Sequence, residues 1–230
     1  VRCYSLSDSG EELNHYRVTI KRQASPSADA PDGVSSCYFH DDLSVGDIVD
    51  VKAPAGHFFL DTTEQSPVVL VAGGIGLTPS ISMLKTLSAL GVNRPLWLFF
   101  GVQDQAALIM GEELGRIQKA MPQLKICHFF SRSEQGVGTS NDCFSGYVSA
   151  ESVLKLGAPI DADFYICGPQ SMMNSMTDGL ASAGINRERI HFESFGPACV
   201  AKPSTRVADV GSDDEQAIAV SFKRSGKEIA

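Results

Sequence analysis

The stretch from Pro67 to Met83 restricts the possible folds of this chain more than any other. It opens with an apolar, largely β-branched run, Val68 to Ala72, which is typical of a central parallel strand covered on both faces. Glycines follow directly at positions 73, 74 and 76. We expect Thr78 to be a helix N-cap and Pro79 to be the first helical residue. The pattern predicts a strand, a glycine turn and a helix.

A turn of this kind directs several backbone N–H groups toward one point, with the positive end of a helix dipole behind them. Such a point suits a pyrophosphate group. The alternative is a tight strand-to-helix turn that binds nothing. The glycine spacing is not G-x-G-x-x-G, so the common dinucleotide fingerprint does not apply directly.

From residue 66 onward, strand patterns alternate with helix patterns, which predicts an α/β unit with a five-stranded parallel sheet and helices on both faces. The predicted strands are 67–72, 95–101, 124–130, 162–167 and 189–194. The predicted helices are 79–90, 111–120, 149–156 and 170–183. Gly91 and Gly184 follow two of these helices and are expected C-terminal stops.

The residues ahead of this unit predict an antiparallel β segment. Strands are expected at 1–6, 15–21 and 48–52, with a short helix over 34–40 that opens at a Gly33-x-x-Ser36 turn. Three strands cannot close a sheet on themselves. We therefore expect that the N-terminal part of this domain is missing.

The composition of the sequence changes after Pro197. Residues 201–216 are polar, carry an acidic run and lack an apolar period, which predicts a linker. Residues 217–230 alternate again, with Ile218, Val220 and Phe222 leading into a polar turn. This predicts a β-hairpin at the start of a further domain.

Composition excludes several classes of partner. The net charge of -8 over 230 residues argues against a nucleic-acid partner, which would favour a basic face. No apolar run reaches the ~20 residues that span a bilayer, so no membrane partner is expected. The six cysteines are scattered without C-x-x-C pairs, which indicates reduced thiols in a cytoplasmic protein and excludes a zinc ribbon. The C-x4-C-x2-C spacing of a plant-type [2Fe–2S] site is also absent.

Five motifs stand in a fixed order along the chain. They are Arg2-Cys3-Tyr4-Ser5, Gly33-x-x-Ser36, Gly73-Gly74-Ile75-Gly76-Leu77-Thr78-Pro79, Cys167-Gly168-Pro169 and Glu193-Ser194-Phe195-Gly196-Pro197. Together they resemble the ferredoxin–NADP reductase superfamily, most closely the reductase part of flavohaemoglobins and of flavin reductases fused to a ferredoxin. The resemblance covers roughly residues 1 to 200. It implies an incomplete antiparallel FAD-binding barrel over 1–62 and an NAD(P)-binding α/β domain over 63–200.

The resemblance assigns the first two motifs to FAD. Arg2 would contact an FAD phosphate, Tyr4 would pack on the isoalloxazine ring, and the Ser5 hydroxyl would hydrogen-bond near flavin N5. Cys3 lies within the same motif. After Gly33, Ser36 would offer its N–H and hydroxyl to the flavin pyrophosphate. The alternatives are that Arg2 is a surface arginine, that Tyr4 and Ser5 are ordinary strand residues, and that Ser36 is a plain helix N-cap.

The resemblance assigns the glycine turn to the NAD(P) pyrophosphate, where side chains larger than hydrogen would block the approach of the backbone. This assignment covers Gly73, Gly74, Ile75, Gly76, Leu77 and Thr78. Cys167, with Gly168 and Pro169, would lie at the carboxyl edge of the sheet beside the reacting nicotinamide carbon. A buried, inert cysteine is the alternative, and Met172 and Met173 are expected in the core.

The resemblance also assigns roles to the end of the last strand. Phe195, followed by Gly196 and Pro197, would cover the flavin face, and Glu193 would tune the flavin potential or supply protons. Either residue could instead merely end the strand. With Ser5 and Cys167, these two complete the expected catalytic set. Arg132 would suit the 2′-phosphate of NADPH, but similar relatives use NADH, so the nicotinamide cofactor stays open.

The resemblance implies hydride transfer from NAD(P)H to FAD, followed by release of single electrons. The tail is similar to the opening hairpin of a plant-type ferredoxin, so we expect a [2Fe–2S] domain in cis beyond Ala230, and an oxygenase as a possible further partner. One alternative is the reductase half of a flavohaemoglobin that serves nitric oxide dioxygenation, which the tail disfavours. The other is a non-catalytic dinucleotide-binding module.

Overall fold

The computed structural model describes residues 2–11, 14–25, 29, 31–132 and 142–195, together with the backbone of 220–222 and 227–229. Ahead of residue 66, the described chain forms one short helix, α1 (Val34–Cys37), which continues as a π-type turn over Tyr38–Asp42. Leu6 and Val18 pair as an isolated antiparallel bridge.

The three strands predicted ahead of residue 60 were wrong as continuous elements. Among the described residues, only the Leu6–Val18 bridge remains of the first two, and 48–52 forms no strand. A strand persists only where a neighbour takes its backbone hydrogen bonds. The apolar side chains of Ile48 and Val51 are accordingly 61% and 62% exposed.

The rest of the described chain is built around one parallel sheet. Its strands are β1 (Val68–Gly73), β2 (Leu96–Val102), β3 (Leu124–Phe130), β4 (Cys143–Ser145), β5 (Asp163–Cys167) and β6 (Ile190–Glu193). Their spatial order is β4-β3-β2-β1-β5-β6, and every pair is parallel. The parallel α/β sheet is confirmed, but it has six strands instead of five. The extra strand, β4, is only three residues long, too short to give a recognisable pattern.

Four helices cover the two faces of this sheet. They are α2 (Leu77–Ala89), α3 (Gly111–Ala120), α4 (Ala150–Lys155) and α5 (Gln170–Ser182). Alternate residues of β1 point to opposite faces, so Leu70 packs with α2 and α3, and Val71 packs with α4 and α5. All six residues of β1 are buried, as expected for the central strand.

Two details of the turn after β1 differ from expectation. The residues Gly74–Gly76 form a 3₁₀ turn, so α2 begins at Leu77 with Gly76 as its N-cap. Thr78 is therefore not the N-cap, and Pro79 is the third helical residue instead of the first. Pro79 is tolerated there because the first four N–H groups of a helix have no intrahelical acceptor.

The helix stops and the tail agree with the sequence. Gly91 and Gly184 follow their helices with φ of +63° and +90°, the left-handed conformation expected after a helix. In the tail, β7 (Val220–Phe222) pairs antiparallel with β8 (Lys227–Ile229), so the predicted hairpin is confirmed. Among the described residues, no helix has both the length and the apolar character needed to cross a membrane.

The strand order creates a crevice at one edge of the sheet. From β1 the chain moves outward through β2, β3 and β4, then returns to place β5 on the other side of β1. Connections from β1 and β5 therefore leave in opposite directions at their carboxyl ends. In open α/β sheets, ligands bind at such a switch point.

Candidate functional site

The turn after β1 presents an open backbone at the switch point. Gly74 has φ +53° and would have no atom within 4 Å of an added side chain. Gly74 and Ile75 are half-exposed, whereas Gly76 is buried. The top of the turn is therefore free for a ligand, and it requires glycine because the left-handed conformation is costly for other residues.

Beside the other two glycines of the turn, Gly73 and Gly76, the space is filled by protein atoms. A methyl group on Gly76 would lie 2.5 Å from the carbonyl carbon of Cys167 and 2.8 Å from the nitrogen of Gly168. A methyl group on Gly73 would lie 2.7 Å from Pro169. These glycines are thus needed for close packing between the turns after β1 and β5. Of the three glycines, Gly74 alone leaves open space for the expected approach of a pyrophosphate, and that role stays a prediction.

Met172 joins this contact, although we expected it in the core. Its sulfur and methyl carbon lie 2.9 Å and 2.6 Å from where side chains on Gly73 and Gly168 would begin. Met172 is half-exposed, whereas Met173 is buried as expected. Nothing in the sequence distinguishes the two methionines, because only the packing of the two turns decides which one covers the glycines.

Ser5 and Glu193 meet at the same edge of the sheet. The Ser5 hydroxyl donates a hydrogen bond of 2.7 Å to the Glu193 carboxylate. Glu193 ends β6 and is paired in register with Cys167 at the end of β5. The sequence motifs placed both residues near a flavin, but their 188-residue separation gave no signal that they bond to each other.

The Cys167 thiol lies in the interior. Cys167 is 1% exposed, and its partner in β1 is Ala72, one residue before the glycine turn. Burial alone suits an inert cysteine as well as one that contacts a nicotinamide, so the proposed catalytic role stays a prediction. Its backbone, packed on Gly76, fixes where the β5 turn begins.

The chain beyond β6 stays close to this edge. The Ser194 hydroxyl donates a 3.0 Å hydrogen bond to the Gln170 side chain at the start of α5. Phe195 follows and is 39% exposed, so its ring is available to cover a ligand. Gly196 and Pro197 lie outside the described residues.

Tyr4 is held by α1 and the turn that follows it. Its hydroxyl lies 2.8 Å from the Ser35 hydroxyl, and its ring meets Phe39 edge to face at a centroid distance of 5.6 Å. Arg2 and Cys3, on the same segment, are exposed. The motif therefore lies against α1 with its first two residues open to solvent.

Ser36 makes its hydrogen bonds within the chain. Its hydroxyl donates to the Gly33 carbonyl at 3.0 Å and accepts from the Gln23 N–H at 3.1 Å. The N-cap of α1 is Gly33, with Ser36 in the third helical position. The alternative of Ser36 as a plain N-cap is therefore wrong, while its predicted contact with flavin phosphate stays a prediction.

Arg132 lies at the carboxyl edge on the other side of β1. Its N–H donates to the Gln103 carbonyl at 2.8 Å, which ties the end of β3 to the end of β2. Its side chain is exposed. The position suits a role toward the distal end of a dinucleotide that begins at the β1 turn.

Arg94 is a buried cation that the sequence did not reveal. It is 2% exposed, and its guanidinium donates to the carbonyls of Glu64 at 2.7 Å and Asp61 at 3.1 Å. Burial lowers the pKa of Arg94 from its ordinary value. The side chain anchors the segment that connects the N-terminal residues to β1.

The residues at the switch point fit a dinucleotide and a flavin. Gly74 supplies an open cradle next to the Cys167 turn, and Ser5 reaches this edge from the N-terminal segment. Oriented backbone amides at the start of a helix bind phosphate groups. Among the described residues, no group of three or more His, Cys, Asp or Glu side chains could hold a metal ion.

Comparison with known proteins agrees with this geometry. Residues 70–178 match the oxidoreductase NAD-binding domain family. A flavohemoprotein from Bacillus cereus is 35% identical over 199 residues, which cover 86% of this chain and 48% of that protein. This chain thus spans about half the length of the curated relatives it matches.

Two solved structures have the same fold. The flavohem-like FAD/NAD binding domain of nitric oxide dioxygenase from Vibrio cholerae matches with a TM-score of 0.71 and 30% identity, covering 84% of this chain and 76% of that chain. A cytochrome P450 reductase from Amycolatopsis, 24% identical, also matches with a TM-score of 0.71, covering 86% of this chain and 57% of that one.

The chain belongs to the ferredoxin–NADP reductase superfamily, as a reductase of the flavohaemoglobin type. Within the chain, residues 70–178 form the oxidoreductase NAD-binding domain. The resemblance found in the five sequence motifs is confirmed.

Proposed function

We propose that this chain carries the reaction site of a reductase that takes electrons from NAD(P)H through FAD to a one-electron acceptor in the same protein. The observation that carries this proposal is the 2.7 Å hydrogen bond between Ser5 and Glu193, at the edge where the turns after β1 and β5 pack together. This bond joins Ser5, in the motif proposed for the flavin, to β6. The neighbouring strand, β5, ends at Cys167 in the motif proposed for the nicotinamide.

The dinucleotide binds across the switch point. Amides of Gly74 and Ile75 hold its pyrophosphate, because this is the part of the turn with open space around it. The backbone conformation of the turn is set by its other residues, Gly73, Gly76, Leu77 and Thr78. The Cys167-Gly168-Pro169 turn positions the nicotinamide end, and exposed Arg132 lies toward the adenosine end.

The flavin binds on the side of the N-terminal segment. Arg2 binds a phosphate through its fork of donors, Tyr4 packs on the ring system, and the segment from Gly33 to Ser36 lies at the pyrophosphate. These residues belong to the proposed FAD-binding domain over 1–62.

When bound, the two cofactors supply the redox chemistry, since a flavin accepts a hydride from reduced nicotinamide and passes electrons on singly. The protein residues position the reactants. The Ser5 hydroxyl donates a hydrogen bond to Glu193, so the lone pairs of its oxygen remain able to accept one from a ligand. Phe195 covers the flavin ring and excludes water. Cys167 limits how far the nicotinamide ring enters the site. Positioning dominates over acid–base catalysis.

The acceptor is an iron–sulfur domain that begins near residue 217. The antiparallel pairing of Val220–Phe222 with Lys227–Ile229 supports this, because a β-hairpin opens such domains. The linker predicted over 201–216 lies outside the described residues. A globin haem is the second candidate, favoured by the flavohemoprotein relatives. A fused acceptor of either kind makes the partner a domain in cis, and an oxygenase would be a further partner in the first case.

Stopped-flow spectroscopy of the full-length, FAD-loaded protein tests the proposal. We expect NADH or NADPH to bleach the flavin absorbance, and comparison of the two identifies the preferred nucleotide. An NADPH preference that disappears in Arg132→Ala would assign the 2′-phosphate to Arg132. Absence of bleaching with either nucleotide would refute the proposed function.

The same sample distinguishes the two acceptors. A [2Fe–2S] centre gives a paramagnetic resonance signal after reduction, whereas a globin haem gives an intense Soret absorbance before it. The iron–sulfur proposal predicts the resonance signal without the Soret band. A Soret band would replace it with the haem alternative and leave the reductase half of the proposal intact.

A further inference from the structure

Charged side chains gather where the N-terminal segment lies on α2 and α3. We call Asp8, Arg17, Lys85 and Glu113 the four-charge network. Lys85 contacts both Asp8 and Glu113, with its ammonium 2.9 Å from the Glu113 carboxylate, and Arg17 lies 2.8 Å from the same carboxylate. Arg17 also approaches Asp8 at 3.5 Å, and His15 does so at 3.4 Å.

The network is shielded from solvent more than an ordinary surface ion pair. The carboxylates of Asp8 and Glu113 are 17% and 15% exposed, whereas both partners of the Lys155–Glu151 pair on α4 are 74% exposed. Burial alone would raise the pKa of Asp8, but hydrogen bonds from Lys85 and the backbone lower it to about 2. Partly buried charges are screened less and interact more strongly.

Neutral hydrogen bonds reinforce the same contact. The Ser82 hydroxyl donates to the Asp8 carbonyl at 2.6 Å, and the Gly10 N–H donates to the Thr86 hydroxyl at 2.9 Å. Positions 82, 85 and 86 share one face of α2 because they are three and four residues apart. The loop after the Ser5 segment is therefore held along one face of a helix.

That helix leads directly to the dinucleotide turn. Lys85 lies eight residues beyond Leu77, about 12 Å along a rigid helix. On the other side, Asp8 lies three residues beyond Ser5. The network and the Ser5–Glu193 hydrogen bond therefore hold one short segment at two points. One point is on α2, which begins at the dinucleotide turn, and the other is on β6, which pairs with the strand that ends at Cys167.

We propose that Lys85 is a positioning residue, which through Asp8 sets the Ser5 segment at the distance and angle from the dinucleotide turn that the reaction needs. Lys85 does not touch either cofactor. Without its charge, Asp8 loses its ion pair to α2, and Arg17, which is on the N-terminal segment itself, is left to face both partly buried carboxylates. The loop over Ser7–Gly10 is then held on α2 only by the hydrogen bonds to Ser82 and Thr86. This inference rests on the proposed function, because it assigns Ser5 to the flavin.

Lys85→Met, Lys85→Arg and the control Lys155→Met test this in the FAD-loaded, full-length protein. Lys155→Met removes a lysine from an exposed pair elsewhere. We expect Lys85→Met to slow the limiting rate of flavin reduction about tenfold, while the dissociation constant for the dinucleotide changes less than about twofold. Lys85→Arg keeps the charge and should restore most of the rate.

Amide hydrogen exchange supplies a second measurement that does not depend on turnover. In Lys85→Met, exchange should accelerate over Leu6–Gly10 and stay unchanged in β1 and β5, whereas Lys155→Met should leave Leu6–Gly10 unchanged. Equal rates and exchange in Lys85→Met and Lys155→Met would overturn the inference. Loss of rate with a uniform rise in exchange would also overturn it, since that result indicates general destabilisation. Failure of unmodified protein to reduce flavin would instead refute the proposed function.

Discussion

Replacing Gly76 by alanine should misplace the nicotinamide site while leaving the open side of the cradle unchanged. The new methyl group would lie 2.5 Å from the Cys167 carbonyl carbon, whereas ordinary carbon contacts are about 3.5 Å or longer. The β1 and β5 turns must therefore separate by about 1 Å. A shift of this size at a reacting centre can reduce the rate about 100-fold. The strain should also lower the free energy of unfolding by about 1–3 kcal/mol.

Gly74→Ala is the matched control for this prediction. Its methyl group meets open space, but φ is +53°, so the expected cost is about 1–2 kcal/mol of backbone strain. Because that methyl group points toward the proposed pyrophosphate, Gly74→Ala should mainly raise the dissociation constant for the dinucleotide. Gly76→Ala should mainly lower the limiting rate of flavin reduction.

Stopped-flow titration with the preferred nucleotide separates the two quantities, and thermal unfolding measures the strain. A loss of about 1–3 kcal/mol corresponds to a fall in Tm of about 2–12 °C for a chain of this size. A Gly76→Ala protein with unchanged Tm and unchanged limiting rate would refute the packing argument. Identical effects in both variants would show that the glycines share one role.

Two further predictions concern charges at other contacts. Asp8 has a pKa of about 2 against an ordinary 3.8, so its contribution of about 2 kcal/mol is complete above about pH 4 and is lost as the pH falls toward 2. In urea unfolding at pH 7, Asp8→Asn should have a free energy of unfolding lower by about that amount. Near pH 2 the variant and the unmodified protein should be equally stable. A difference that does not change with pH would contradict this. Arg94→Met should cost about 3 kcal/mol in the same assay, because hydrogen bonds from a buried charged group to two backbone carbonyls are lost. Exposed Arg116→Met should cost less than about 0.5 kcal/mol.

The core of the fold was predictable because its signals are local. The run Val68 to Ala72 is apolar throughout, and only a strand buried on both faces requires that pattern. Helix stops at Gly91 and Gly184 follow from the conformational freedom of one residue. The strand β4 was missed because three residues give no period, and its place beside β3 depends on pairing of His128 with Cys143. Strands ahead of residue 60 were overpredicted, because alternation of apolar and polar residues does not supply the neighbouring strand that must take the backbone hydrogen bonds.

The functional residues were predictable as members of motifs, but their contacts were not. Ser5 and Glu193 stand at opposite ends of the matched region, and only the strand order brings β6 and the N-terminal segment to one edge. The charge partners Asp8 and Lys85 carry no motif, since any surface helix contains lysine. Arg94 is similar, because a buried arginine that binds carbonyls has the same sequence signature as an exposed one.

The turns after β1 and β5 hold each other in place through contacts between protein atoms. Gly76 packs on the Cys167 backbone, and Met172 covers Gly73 and Gly168. A turn fixed by its own packing costs less to order around a dinucleotide. The placement of the Ser5 segment depends instead on contacts between distant parts of the chain, among them the hydrogen bond to Glu193 and the ion pair of Asp8 with Lys85. Changes at Lys85 should therefore alter the rate of electron transfer to flavin more than the affinity for nucleotide, because the nucleotide cradle is held by the packing of the β1 and β5 turns.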